Sequence, residues 1–150
     1  SLLALWTMLN RWPGGHLVFD WVLARAVPYT GSIRAQVIEL APGYARIRLR
    51  DRRAIRNHLG SIHAMALANL CECASGLAML SSLPKDARGI LTGFSIQYSK
   101  KARGVLIAES KVLPIQTNAQ AQLTVDVEAR DEAGDVVTKA QASWRIGPQK

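Results

Sequence analysis

A chain of 150 residues with 49% hydrophobic and 20% charged residues has the composition of a globular domain, which excludes a disordered or fibrous polymer. Its length suits one domain that buries most of its surface without staples. A net charge of +8 fits an anionic partner (cofactor, nucleic acid or lipid) or nothing beyond solvent, and composition does not choose among them. Cys71 and Cys73 stand two apart, a spacing that suits neither a disulfide framework nor a zinc site, so a reducing compartment is expected.

In chain order, Leu2 to Leu9 and Leu17 to Val27 read as two short helices separated by Pro13-Gly14-Gly15, the second stopping ahead of Pro28. The first apolar run falls well short of the roughly 20 residues that span a bilayer, and it lacks the flanks of a signal peptide. A cytoplasmic protein with no membrane span is therefore expected. Ile33 to Leu40 and Tyr44 to Arg50 form a hairpin about Ala41-Pro42-Gly43. In its second strand Ala45, Ile47 and Leu49 alternate with Arg46, Arg48 and Arg50, so one face is buried and the other basic. The basic run continues through Arg52, Arg53 and Arg56 to Asn57.

From Ala64 to Leu80 the chain is apolar, and between Arg56 and Lys85 the single charged side chain is Glu72. A helix apolar on nearly every side is buried on nearly every side. A carboxylate within it costs free energy unless it is paired, hydrogen-bonded or neutral, which points to chemistry or to a structural hydrogen bond. Ser61 is the expected N-cap, with His63 in the first turn as the alternative. Leu67, Leu70, Ala74 and Leu77 make an apolar row, and Asn69, Glu72, Ser75 and Gly76 a semi-polar one. The helix ends before Pro84, and Lys85 to Gly89 make a charged loop.

Four strands follow: Ile90 to Ser99, Val105 to Leu113 after the connection Lys100 to Gly104, Ala121 to Arg130, and Val136 to Ile146. The third alternates strictly, as a half-buried antiparallel strand does. The fourth returns from the turn Asp131 to Asp135 with Val136, Thr138, Ala140, Ala142, Trp144 and Ile146 facing inward. The expected fold is α+β, an antiparallel sheet of about six strands wrapped around one long central helix, with short N-terminal helices. Residues 1–150 form a single domain, with 1–28 a helical cap and 29–146 the core. Its sheet edges call for pairing by a twofold axis, in a homodimer or a dimer of dimers.

This pattern resembles the hotdog fold, and the stretch about the central helix resembles thioesterases of the phenylacetate-pathway type. In those, an Asn precedes a Gly by three residues, a His-Gly-Gly follows, and an acid sits on the helix nine residues after the His. Asn57, Gly60, His63 and Glu72 match without a gap. The block from Asn57-His58-Leu59-Gly60 to Glu72, with Tyr98 to Gly104 and Pro28-Tyr29, is similar to an uncharacterised branch of that superfamily, a domain of unknown function. One departure stands out: His-Gly-Gly is His63-Ala64-Met65 here, with a bulkier residue where the thioester carbonyl approaches a backbone N–H.

The resemblance implies hydrolysis of acyl-coenzyme A or another acyl thioester at a dimer-interface site. Glu72 would be base or nucleophile, Asn57 would position water or carbonyl, and His63 would contact the thioester. The segment from Asn57 to Met65, with Gly60, Ser61, Ala64 and Met65, would line the site largely through its backbone. Lys100, Lys101 and Arg103, with Arg50, Arg52, Arg53 and Arg56, would hold the phosphates of coenzyme A. No cofactor is expected beyond coenzyme A as part of the substrate, and no metal. His58 precedes Glu72 by fourteen residues, the spacing of hotdog dehydratases, but their Phe-Pro-Gly is missing. A non-catalytic protein binding acyl-coenzyme A or an acyl carrier is the rival reading. Nucleic acid is disfavoured, because the basic strand lacks interleaved aromatics.

Overall fold

A computed structural model describes residues 1–149. Three helices come first: α1 (Leu2–Leu9), α2 (Gly15–Ala26) and α3 (Pro28–Gly31), then β1 (Gln36–Ala41), β2 (Tyr44–Arg50), α4 (Ala64–Ser82), β3 (Ala87–Tyr98), β4 (Val105–Lys111), β5 (Ala121–Arg130) and β6 (Val136–Pro148). The six strands form one antiparallel sheet in the order β1-β2-β4-β5-β6-β3. The long helix α4 packs against every strand of it, as expected of a sheet wrapped around one apolar helix.

α4 is apolar enough and long enough to cross a membrane, but most of it is buried inside this fold. Leu67, Leu70, Ala74 and Leu77 are all in the core, joined by Ala45, Ile47 and Leu49 of β2 and by Leu106 and Ala108 of β4. The Trp144 ring packs against Gly76, where a Cβ would stand 3.4 Å from its edge, and the indole N–H donates to Ser75 Oγ at 3.2 Å in the buried layer. The only partly open stripe on the first half of α4 is Ala64, Met65, Ala68 and Glu72, which recur at helical spacing.

Several boundaries differ from the expected ones, each for a local reason. The first hairpin strand begins at Gln36, not Ile33, because Arg34 has a φ of 54° and breaks the extended chain. α2 starts at Gly15 rather than Leu17, entered through Gly14 in the left-handed region. Pro28 does end α2, but it also opens α3, since proline suits a first helical turn. β3 begins at Ala87 inside the expected charged loop, where it pairs with the far end of β6. Val137 is buried beside Thr138, because the β5–β6 register shifts between Ala129 and Arg130.

The two sheet edges are β1 and β3. β1 is short and lies beneath α2. β3 runs for 12 residues with no strand on its outer side, and its alternating inward positions are only half-buried where those of its neighbour β6 are buried. An edge of that length is a template for another chain.

Candidate active site

The loop from Asn57 to His63 is organised by Asn57. Its Oδ1 accepts from Leu59 N at 3.0 Å and Ser61 N at 3.1 Å, while its own backbone N–H donates to Ser61 O at 2.8 Å. Gly60 sits at the apex with a φ of 68°, and a Cβ there would meet nothing. It is needed for backbone conformation rather than for space. Ile62 N then donates to Ala102 O at 2.8 Å and His63 N to Ile55 O at 2.7 Å, which fixes where α4 starts.

Ser61 is therefore not the N-cap. It still belongs to the Asn57 turn, and the capping residue is His63, whose Nδ1 accepts from Met65 N at 3.0 Å. With Nδ1 an acceptor, the ring proton is assigned to Nε2, on an exposed side chain. The bond also occupies the Met65 amide, and the backbone N–H groups of Ala64 and Ala66 make no hydrogen bond among the described residues. Ser61 Oγ is buried without a partner. Asn57 Nδ2 makes no hydrogen bond among the described residues, which leaves both of its N–H donors free on a half-buried side chain.

A cavity of about 340 Å³ gathers Asn57, Ser61, Ala64, Lys100 and Lys101 with Leu67, Tyr98 and Ala102. The structure thus brings together five of the expected residues from two separate segments. Tyr98, not singled out among the site residues, donates its hydroxyl to Ala64 O at 2.9 Å and ties the end of β3 to the start of α4. Burial raises its pKa. A non-local contact of this kind leaves no mark in sequence spacing.

His58, His63, Gly60, Met65 and Arg103 lie outside that cavity. Met65 is 55% exposed, so its side chain closes nothing within the subunit. Lys100 is an altered case: its Nζ binds Asp131 at 2.6 Å and Asp135 at 2.8 Å, and these bonds raise its pKa and lower that of Asp131. Its charge is answered by the β5–β6 turn. Arg56 is likewise bound to Asp51 at 2.7 Å, which holds the Asp51 carboxyl below its ordinary pKa. Arg52 donates to Ser32 O at 2.7 Å. Arg50, Arg53 and Lys101 are exposed and make no ion pair or side-chain hydrogen bond among the described residues, so they are the cations least committed elsewhere.

Glu72 is half-buried on the open stripe of α4, and its carboxylate has no hydrogen-bond or ion-pair partner among the described residues. Burial raises its pKa above the ordinary value. A structural hydrogen bond within the subunit is not what holds it. Nine residues separate it from His63, which is about 14 Å along a helix rising 1.5 Å per residue. One subunit therefore does not bring Glu72 to the Asn57–Ala64 cradle. A second cavity of about 240 Å³ beneath the cap, lined in part by Asp20, Thr30 and Cys73, contains none of the expected site residues. Burial raises the pKa of Asp20, which accepts from Val37 N at 3.0 Å.

The wrapped sheet, the single buried helix and its lone carboxylate define a hotdog-fold protein. The fold is shared with a probable thioesterase of unknown function from Pseudomonas aeruginosa, 23% identical over 84% of this chain and 91% of that one at a TM-score of 0.77. It is also shared with a thioesterase family protein from Silicibacter pomeroyi, 16% identical over 87% and 96% at 0.74. Within that class, the chain belongs to the family described as "Domain of unknown function (DUF4442)", whose pattern matches residues 15–146. A crystal structure from a genomics programme, whose name states no function, is 30% identical over 99% of this chain and 98% of that one, with a TM-score of 0.85. A Halobacterium salinarum protein named "Putative esterase" is 28% identical over 73% of this chain and 78% of its own.

Proposed function

We propose that the protein is a homodimeric hydrolase of acyl thioesters, with each site built from Glu72 of one subunit and the Asn57–Ala64 cradle of its partner. The observation that carries this reading is the half-buried, unpartnered Glu72 carboxylate lying far along the helix from the cradle whose free donors would complete it. A twofold pairing through β3 would lay the two α4 helices alongside one another in opposite directions and bring the two halves together. The thioesterase names among the structural relatives and the esterase name of the sequence relative agree with hydrolysis.

In this reading Glu72, ionised, accepts a proton from water as its oxygen attacks the thioester carbonyl carbon. Its raised pKa suits a base working near neutrality. The Ala64 N–H at the positive end of α4, with Asn57 Nδ2 and His63 Nε2, faces the developing oxyanion. The C–S bond then breaks, the thiol takes up the proton, and a carboxylic acid leaves. If Glu72 attacks directly instead, an acyl anhydride forms on it and water cleaves that. Coenzyme A, with Lys101 and Arg53 on its phosphates, or an acyl carrier supplies the thiol, and the setting is the cytoplasm.

Release of free thiol from short, medium, long and aromatic acyl-coenzyme A esters, in wild type and Glu72→Gln, tests this. Turnover of one ester with a loss of at least about a hundredfold in the variant, the scale for removing a general base, supports the reading. The engaged Met65 amide favours a second one, a non-catalytic acyl-thioester binding protein. Tight binding of the esters without any thiol release would replace the first with the second.

A further inference from the structure

Half of the large hydrophobic side chains that stand exposed come from the first 29 residues: Met8, Trp12, Leu17, Val18, Trp21, Val27 and Tyr29. On α2, Leu17, Trp21 and Arg25 recur every fourth residue and so form one row, with Val18 beside it, while Phe19 of the same helix is buried against Trp6. The cap thus has one apolar side packed on the core, while Leu17 and Trp21, largely exposed, also line the 240 Å³ cavity beneath it with Asp20 and Arg34. Trp21 is 63% exposed, Trp12 71% and Tyr29 72%, whereas the other two tryptophans, Trp6 and Trp144, are buried. Exposed apolar area of this density marks a docking surface.

Its charge says what kind. Arg11 adjoins Trp12, the Arg25 guanidinium lies 5.8 Å from the centre of the Trp21 ring, and Arg34 is exposed nearby in sequence. The one carboxylate in the first 38 residues, Asp20, is turned inward onto Val37 N. Exposed indole and phenol rings beside arginines, on a cap whose single acid is turned inward, match the interface of a bilayer, where amphipathic rings sit at headgroup level and basic groups meet anionic phosphate. A second copy docked through the same face would bring two arginine-bearing faces together with no exposed acid of the cap to answer them.

We propose that the N-terminal cap, through Trp12, Leu17, Val18 and Trp21 framed by Arg11 and Arg25, seats the protein on an anionic membrane surface without spanning it. This attachment does not depend on Glu72 or on thioester hydrolysis.

The test is co-sedimentation with phosphatidylcholine vesicles, with and without an equal share of phosphatidylglycerol, read together with tryptophan emission and with molecular mass by light scattering. Wild type is compared with Trp12→Ser/Trp21→Ser, with Arg11→Gln/Arg25→Gln and with Lys111→Gln/Lys139→Gln, which removes equal charge from the exposed sheet face. Wild type should bind the phosphatidylglycerol vesicles with a blue shift in emission. The tryptophan pair should abolish the shift, and the arginine pair should weaken binding by about fivefold for each charge, the conversion of about 1 kcal/mol per basic residue. The lysine pair should bind nearly as wild type. Three outcomes overturn the proposal: no binding to the anionic vesicles, an equal loss in the lysine and arginine pairs, or a fall in molecular mass of the tryptophan pair in solution, which would make the face a contact between copies.

Discussion

Mixed dimers test the shared site most directly. Within a subunit, Glu72 stands about 14 Å along α4 from His63, several times the 2.6–3.2 Å reach of a catalytic hydrogen bond (about 3 Å). Glu72→Gln and Asn57→Ala should each lose most activity as homodimers. When the two are co-expressed in equal amount and with different tags, random pairing makes about half of the dimers hybrid under twofold symmetry. Each hybrid holds one site with both lesions and one with none, because the intact Glu72 of one subunit meets the intact Asn57 of the other. The mixture should recover about a quarter of wild-type turnover, and purified hybrids about half. Thiol release by the doubly tagged fraction is the assay. Hybrids no more active than their parents would refute a site shared between subunits and require Glu72 to work within its own.

Stability should depend on Glu72 in a pH-specific way. Its folded-state pKa is raised by burial, so the stabilisation it gives is complete below the ordinary value of 4.5 and is lost as pH rises through the raised one. Glu72→Gln mimics the protonated acid and should melt higher than wild type at neutral pH and equal to it in acid; a gap constant across pH in thermal melts would contradict this. Gly60→Ala should cost about 1–2 kcal/mol in urea unfolding, the penalty of a left-handed backbone carrying a Cβ, since no neighbouring atom adds to it. Ser75→Ala should cost about 1–3 kcal/mol, the range for stranding a buried donor, here the Trp144 indole N–H; a smaller loss would mean that the ring finds another acceptor.

What could be read from the sequence follows the range of the interactions concerned. α1 ends where expected because Asn10 and the following Pro-Gly-Gly act locally, and the alternation in β2 and β5 survives because each has one face on α4. The wrapped sheet, too, was legible, since one helix too apolar to face water admits few arrangements beside six strands, and its resemblance to the hotdog fold rested on that pattern together with the Asn57–Glu72 motif. The choice between Ser61 and His63 as cap was not. It turns on Ile62 pairing with Ala102 and His63 with Ile55, contacts that exist only once the sheet has closed. Lys100 fails as a free cation for the same reason, because Asp131 and Asp135 reach it across a hairpin.

The exposed cap and the unpartnered Glu72 share a physical logic. Each is a place where local cost is left unrelieved inside one subunit: the solvated indoles of Trp12 and Trp21 on the cap, and a half-buried carboxylate without a donor on α4. Elsewhere Ser81 is matched to Ala41 O and Trp144 to Ser75, while Asp20 Oδ2, Ser61 Oγ and Asn69 Oδ1 stay buried without a partner among the described residues. Unrelieved cost on an outward face is what a fold leaves for something outside it. The bare 12-residue edge of β3 carries the Tyr98 that ties it to Ala64 at the start of α4, and a second copy is the neighbour proposed for it. On the cap, arginines without acids make a like-charged copy the poorer match and an anionic surface the better one.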